Sequence, residues 1–179
     1  MNINGKKVLL RAIEKGDKNL LYTLVNDPDT ERMIGGSSFP VSDYEQENWM
    51  NSQIGRTDIL RCVIALKEKP EQGLGTVILS DIDMKDAVAQ AHIKMADHTG
   101  RRKGYGTDAL SAMVHYAFSE LRLNCIYAEI LSYNIPSQKL FEKCGFQKEG
   151  VLRERVFKGG KFENVIVYSL LKTDVNDNE

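Results

Sequence analysis

The chain has 179 residues, a length typical of one globular domain, and we expect residues 1–179 to form a single domain. Hydrophobic residues make up 42% of it and charged residues 27%, which excludes the disordered and fibrous classes. Because 24 Lys and Arg stand against 25 Asp and Glu, the net charge of −1 predicts that nucleic acid is not a partner.

Hydrophobic periodicity predicts an opening strand and helices, followed by a β-rich middle. Ser42 and Glu45 form a capping box that marks the start of one helix, and Gly159-Gly160 marks the turn of a closing hairpin. The predicted strands are 8–12, 61–66, 73–79, 89–95, 125–131 and 165–170, with a turn at 69–72, and the predicted helices begin near 16, 43, 105 and 136. This order of elements predicts an α/β or α+β protein with a mixed sheet.

Cysteine usage and the distribution of apolar residues bear on the cellular compartment. No window approaches about 18 uninterrupted apolar residues, so no contact with a membrane is predicted. The residues before Val8 hold no apolar stretch of the signal-peptide kind, which predicts a cytoplasmic protein. Three cysteines have neither zinc spacing nor the even number of a disulfide framework, so no metal is predicted. Cys62 and Cys125 lie in apolar runs typical of buried positions, whereas Cys144 is a weakly supported candidate nucleophile.

The most informative segment is a basic, glycine-containing loop between a predicted strand and a long amphipathic helix. It reads Arg101-Arg102-Lys103-Gly104-Tyr105-Gly106-Thr107-Asp108. Two glycines let the backbone approach a ligand, and the free N–H groups of the helix start favour a pyrophosphate. The alternative is a solvated basic loop. The dinucleotide pattern G-x-G-x-x-G and the P-loop pattern are both absent.

A second motif distinguishes these alternatives. Arg101-x-x-Gly104-x-Gly106 resembles the R/Q-x-x-G-x-G/A signature of the GNAT family of N-acetyltransferases. Downstream, the segment from Asn134 to Phe146 (NIPSQKLFEKCGF) is similar to the second motif of that family, N-x-x-S-x-x-L-[YF]-x-x-x-G-F. The resemblance covers nearly the whole chain and is strongest to the branch of ribosomal-protein alanine and spermidine acetyltransferases. It implies an α+β fold with a mostly antiparallel mixed sheet, two splayed parallel strands and flanking helices.

The resemblance also implies acetyl transfer from acetyl-CoA to an amine. The pantetheine arm would lie between the splayed strands 91–97 and 125–131. The implied cofactor-binding residues are Arg101, Arg102, Lys103, Gly104, Tyr105, Gly106, Thr107 and Asn134. Within this set the backbone N–H groups of 103–107 would hold the pyrophosphate, and Asn134 would contact the pantetheine arm or a water beside it.

This chain departs from the family pattern at the position of the implied general acid. Many relatives have a tyrosine at the position of Phe141, which has no proton to donate. Ser137 is the nearest hydroxyl, one helical turn earlier, and a serine there is implicated in the ribosomal branch. Ser137 is therefore a candidate catalytic acid, with helix capping as its alternative role. A thiolate can also depart without an acid.

The candidate base is His92, since strand alternation places Gln90, His92 and Lys94 on the face opposite Ala91 and Ile93. An imidazole titrates near neutrality and can take a proton from an amine. The alternative is a structural histidine that is hydrogen-bonded beneath the second helix.

The sequence leaves alternatives for the acceptor of the acetyl group and for the oligomeric state. Candidates are a small amine such as a polyamine or amino sugar, and a protein N-terminus; acidic residues at Glu31, Glu45 and Glu47 slightly favour a small amine. The rival hypothesis from another class is a non-catalytic acyl-CoA-binding sensor or partner subunit on the same fold. Apolar residues of the closing hairpin make a homodimer the expected assembly.

Overall fold

The computed structural model describes residues 1–35, 39–96 and 103–176. The helices are α1 (Lys18–Asn26), α2 (Pro28–Met33), α3 (Asp43–Ser52), α4 (Tyr105–Ser119), α5 (Ile135–Lys143) and α6 (Lys172–Asn176). The strands are β1 (Ile3–Asn4), β2 (Val8–Arg11), β3 (Leu60–Leu66), β4 (Lys69–Asp83), β5 (Val88–Met95), β6 (Cys125–Leu131), β7 (Gln147–Lys158) and β8 (Lys161–Leu171).

The described strands form one sheet in the order β1-β2-β3-β4-β5-β6-β8-β7. Strands β5 and β6 are paired in parallel, and every other neighbouring pair is antiparallel. The prediction of a mixed, mostly antiparallel sheet flanked by helices is thereby confirmed. In the described part of the chain, no helix is long and apolar enough to span a membrane.

The two faces of the sheet have different neighbours. The apolar stripe of α4 covers one face, where Leu110 and Met113 are completely buried against strand residues such as Val77 and Leu79. Helices α1 and α3 pack against each other, and α1 contacts β4. Since strand residues alternate between faces, the odd-numbered residues of β5 enter the core and the even-numbered ones point the other way.

Two predicted boundaries need correction. The turn predicted at 69–72 is wrong, because Leu66 pairs with Lys69 and leaves Lys67 and Glu68 as the two-residue loop. Helix α2 was not predicted. Asp27 caps α2 by accepting a hydrogen bond from the Thr30 backbone N–H at 2.8 Å, and Pro28 takes the first helical position, where no N–H is needed. By contrast, the capping box and the start of α3 at Asp43 are as predicted.

The three cysteines are free thiols. Burial raises the pKa of Cys62 to about 11 and also raises the pKa of Cys144. The Cys144 thiol lies 3.6 Å from the Thr107 carbonyl oxygen and joins α5 to the start of α4. A raised thiol pKa opposes thiolate formation, so Cys144 serves packing rather than nucleophilic attack.

Candidate active site

The centre of the candidate site is the gap where β5 and β6 separate. Their pairing begins at Val88 with Cys125 and ends at Gln90 with Tyr127. Beyond that point β5 continues beside β4 to Met95, and β6 continues beside β8 to Leu131. The facing backbone edges therefore open onto a cleft of about 400 Å³ rather than onto each other. An extended ligand can hydrogen-bond along such an edge as an added strand would.

One end of the gap meets the N-terminus of α4. Gly104 caps this helix with φ of 81°, a left-handed conformation that glycine adopts at little cost. A Cβ at Gly104 would meet open space, with Lys7 Nζ at 3.9 Å as its nearest neighbour. The N–H groups of Tyr105, Gly106 and Thr107 precede the first helical hydrogen bond, which Asp108 donates to the Gly104 carbonyl. This open, N–H-lined turn fits a pyrophosphate.

The described part of the predicted phosphate loop, from Lys103 to Thr107, thus lies together at the start of α4. Arg101 and Arg102 lie outside the described residues, as does Asp97, the last residue of the predicted gap. Packing also explains why residue 106 is a glycine, because a Cβ there would lie 3.0 Å from Leu140 Cδ1. Its small size lets α4 pack closely against α5.

The chain's N-terminal segment brings Lys7 to this end of the cleft. The Asp108 carboxylate accepts hydrogen bonds from the backbone N–H groups of Lys6, Lys7 and Val8 at 2.6–2.9 Å. Burial by itself would raise the pKa of Asp108, but these three donors outweigh burial and hold the pKa below its usual value. The Lys7 ammonium donates to the Lys103 carbonyl at 3.3 Å. The sequence pattern gave no sign of this contact, because about a hundred residues separate the two segments.

His92 lines the same cleft, from the face of the sheet away from α4. In the antiparallel register His92 pairs with Ile78, and Ile78 pairs with Arg61, so the three residues form one rung across β5, β4 and β3. Its Nε2 atom lies 2.8 Å from Ser80 Oγ, two residues along β4 from Ile78 and on the same face. Its structural partner is therefore a sheet residue, not a residue of the second helix.

The environment of His92 keeps the ring neutral. Burial lowers the pKa of His92, the charge of Lys94 lowers it further, Asp81 opposes them, and Arg61 adds a smaller lowering. If Ser80 accepts a hydrogen bond from Nε2–H, then Nδ1 keeps a free lone pair, which is the state that a general base requires.

Helix α5 brings three predicted residues to the same cleft: Asn134, Ser137 and Phe141. Asn134 caps the helix by accepting from the Ser137 backbone N–H at 3.2 Å, so the capping role considered for Ser137 belongs to Asn134. Its amide nitrogen donates to the Met33 carbonyl at 2.8 Å and holds the end of α2 against the cleft. Phe141 is 2% exposed and packs edge-on against Phe146, with 4.9 Å between ring centroids.

Three charged side chains that the sequence did not single out as site residues also line the cleft: Arg61, Lys94 and Glu129. Arg61 stacks over the Trp49 ring at 5.3 Å and donates to Gln53 Oε1. Burial lowers the pKa of Lys94, and the charge of Arg61 lowers it further. Strand alternation predicts that Lys94 and His92 lie on the same face of β5. Only the pairing register of β3, β4 and β5 shows that Arg61 lies next to them.

The acidic residues that favoured a small cationic amine have partners elsewhere. Glu31 pairs with the Lys158 ammonium, Glu45 closes the capping box with Ser42, and Glu47 pairs with Lys18. None of the three lines the cleft. They therefore give no support for a polyamine acceptor.

A splayed parallel strand pair, opening beside a glycine-capped helix, defines the class of protein as an acetyltransferase. The chain belongs to the Acetyltransferase (GNAT) domain family, which it matches over residues 7–147. It is 30% identical over 174 residues to the uncharacterized N-acetyltransferase p20 of Bacillus licheniformis, covering 94% of this chain and 95% of that one. These matches confirm the resemblance and the fold.

Solved structures of spermidine N-acetyltransferase from Vibrio cholerae are similar to this one. The complex of that enzyme with CoA and spermine superposes with a TM-score of 0.86 and 26% identity, covering 94% of this chain and 97% of the other. Its dodecameric form gives a TM-score of 0.80 and 26% identity, covering 97% and 99%.

Proposed function

We propose that residues 1–179 form a single domain that transfers the acetyl group of acetyl-CoA to a primary amine by direct attack. The observation that carries this proposal is the gap between β5 and β6, which ends at the open N–H groups behind Gly104. A cosubstrate with an extended arm and a pyrophosphate matches both parts. The CoA complex of the Vibrio cholerae relative supports the same cosubstrate.

In this mechanism the protein's own groups do three things. The N–H groups at the start of α4, with Lys103 and the undescribed Arg101 and Arg102, bind the pyrophosphate. An unpaired N–H of β5 stabilises the charge that develops on the thioester oxygen during attack. His92 takes the proton that the amine nitrogen must lose, directly or through water.

The acceptor is a small amine or a protein N-terminus, and the structures of the spermidine-acetylating relative make a small amine the first class to test.

The dodecameric form of that relative supports self-association, and we propose at least a homodimer through the closing hairpin. Its tip exposes Phe157 and Phe162, which are 59% and 62% accessible and pack edge-on against each other. An apolar pair exposed in this way is typical of an interface.

Thiol release tests the proposed function. Purified protein with acetyl-CoA and a panel of primary amines should release free CoA thiol in an amine-dependent manner. A protein that binds CoA in calorimetry but releases no thiol with any amine or N-terminal peptide would instead be the non-catalytic acyl-CoA sensor.

Ser137 is the proposed proton donor to the departing thiolate, and Ser137→Ala should lower kcat about tenfold or more, a barrier of about 1.4 kcal/mol. Phe141 lines the same cleft one turn later, so Phe141→Tyr should restore part of this loss in the double variant. The matched control is Ser119→Ala, at an exposed position at the end of α4. Steady-state measurement of kcat tests the role of Ser137 as proton donor. An unchanged kcat in Ser137→Ala would mean that the thiolate departs without a proton donor.

A further inference from the structure

Most of the charged side chains that line the cleft near His92 are cationic. Arg61 and Lys94 point into it from the same sheet face as His92, and Glu129 of β6 is the single carboxylate among its described lining residues. Neighbouring strands lie about 4.8 Å apart, so long side chains from β3 and β5 reach the rung of His92. Any acceptor amine near His92 therefore has two cationic side chains beside it.

Neither cation is neutralised by the described part of the protein. Arg61 contacts an amide oxygen of Gln53 and the Trp49 ring, both uncharged, and the charge of Asp58 acts on it without a direct ion pair. No ion pair between described residues includes Lys94 or Arg61, although the nearby Arg56 pairs with Asp58 and Arg11 pairs with Asp17. Half-buried cations without a carboxylate destabilise a fold, and such groups concentrate where a ligand supplies the missing charge.

The opposite edge of the gap carries the complementary charge. Counting two residues along β6 from the last parallel pair, Gln90 with Tyr127, places Glu129 level with His92. The cleft thus offers a carboxylate on β6 and, across the gap on β5 and β3, an imidazole with two cations beside it. A molecule that carries both an ammonium and an anion matches this arrangement, whereas the second ammonium of a polyamine would meet Arg61 and Lys94.

We propose that the acceptor is a small amine that also bears an anionic group, a carboxylate or a phosphate ester, which Arg61 and Lys94 bind. Glu129 and His92 then receive the amine end, beside the thioester. This inference rests on the proposed acetyl transfer and narrows its substrate class. It separates this protein from the spermidine-acetylating relatives, whose substrates carry several positive charges.

The test compares four amines of similar size: β-alanine and phosphoethanolamine as anionic acceptors, ethanolamine as a neutral one and 1,3-diaminopropane as a cationic one. Wild-type kcat/KM should be about tenfold or more higher for an anionic acceptor than for ethanolamine, the effect of one charge-assisted contact. The preference between β-alanine and phosphoethanolamine identifies the anion. Preference for diaminopropane, or none among the four, overturns the proposal.

Variants assign the preference to the two residues. Arg61→Gln and Lys94→Gln should each reduce the anionic-to-neutral ratio of kcat/KM about tenfold, mainly through KM. The matched control is Lys85→Gln on the exposed β4–β5 turn, which should not alter the ratio. Equal losses for all four amines, or a weakened acetyl-CoA affinity as the sole effect, would contradict the assignment.

Calorimetry separates this proposal from the proposed function. If none of the amines releases thiol, binding of phosphoethanolamine and ethanolamine to CoA-saturated protein still measures the site. Tighter binding of phosphoethanolamine that is lost in Lys94→Gln supports the anion site although acetyl transfer has failed. Equal affinities, or no binding of either, overturn it.

Discussion

His92→Ala is expected to lower kcat/KM by about 10²–10⁴, the usual range for loss of a general base. The reason is that a primary amine with a pKa near 10.4 is almost fully protonated at neutral pH and attacks only as the free base. The loss should shrink as the pH approaches the amine's own pKa, because free base then forms without help. His115→Ala, an exposed histidine on α4, is the matched control and should leave the rate unchanged.

The pH profile adds a second readout for His92. The folded-state pKa of His92 is lowered, so the ring is already neutral at pH 7 and loses its basic form only when the pH falls below 6.5. The wild-type kcat/KM should therefore rise with pH through a value below 6.5, and this limb should vanish in His92→Ala. A loss that is the same at every pH would assign His92 to binding or packing, through its hydrogen bond with Ser80.

Gly104→Val should weaken CoA binding by about a hundredfold or more. Its side chain would occupy the open space behind the N-terminus of α4, where charge-assisted N–H contacts to a phosphate contribute about 1.5–3 kcal/mol each. The left-handed backbone at φ of 81° also adds strain of about 1–2 kcal/mol. Calorimetric titration with CoA measures the affinity, and thermal unfolding measures the strain.

Gly55→Val separates these two effects. Gly55 has a similar φ of 77° and open space around it, but it lies in the exposed turn after α3, away from the phosphate end. Both variants should lose similar stability, and only Gly104→Val should lose CoA. Gly106→Val is a poorer test, since its side chain would also push against Leu140. Wild-type CoA affinity in folded Gly104→Val would remove the pyrophosphate site from this turn.

Local patterns in the sequence determined much of the fold. The capping box of Ser42 and Glu45 gave the start of α3, and the Gly159-Gly160 turn located the closing hairpin, because both depend on residues only a few positions apart. The two motifs located the glycine-capped helix and the helix of Ser137 for the same reason. Boundaries failed where one signal has two uses, as at Pro28, which ends α1 and begins α2.

Tertiary structure alone decided which charges share the cleft. The alternation of side chains along β5 predicts that Lys94 and His92 share a face of the sheet. Alternation within β3 or β6 does not predict which residue of a neighbouring strand lies beside which. The register of β3, β4 and β5 places Arg61 on the rung of His92. The hydrogen bond from the Lys7 backbone to Asp108 holds Lys7 near Gly104. Glu31 pairs with Lys158 instead of facing the cleft. These contacts join segments about 30 to 130 residues apart, and their energies arise only once the chain has closed those distances.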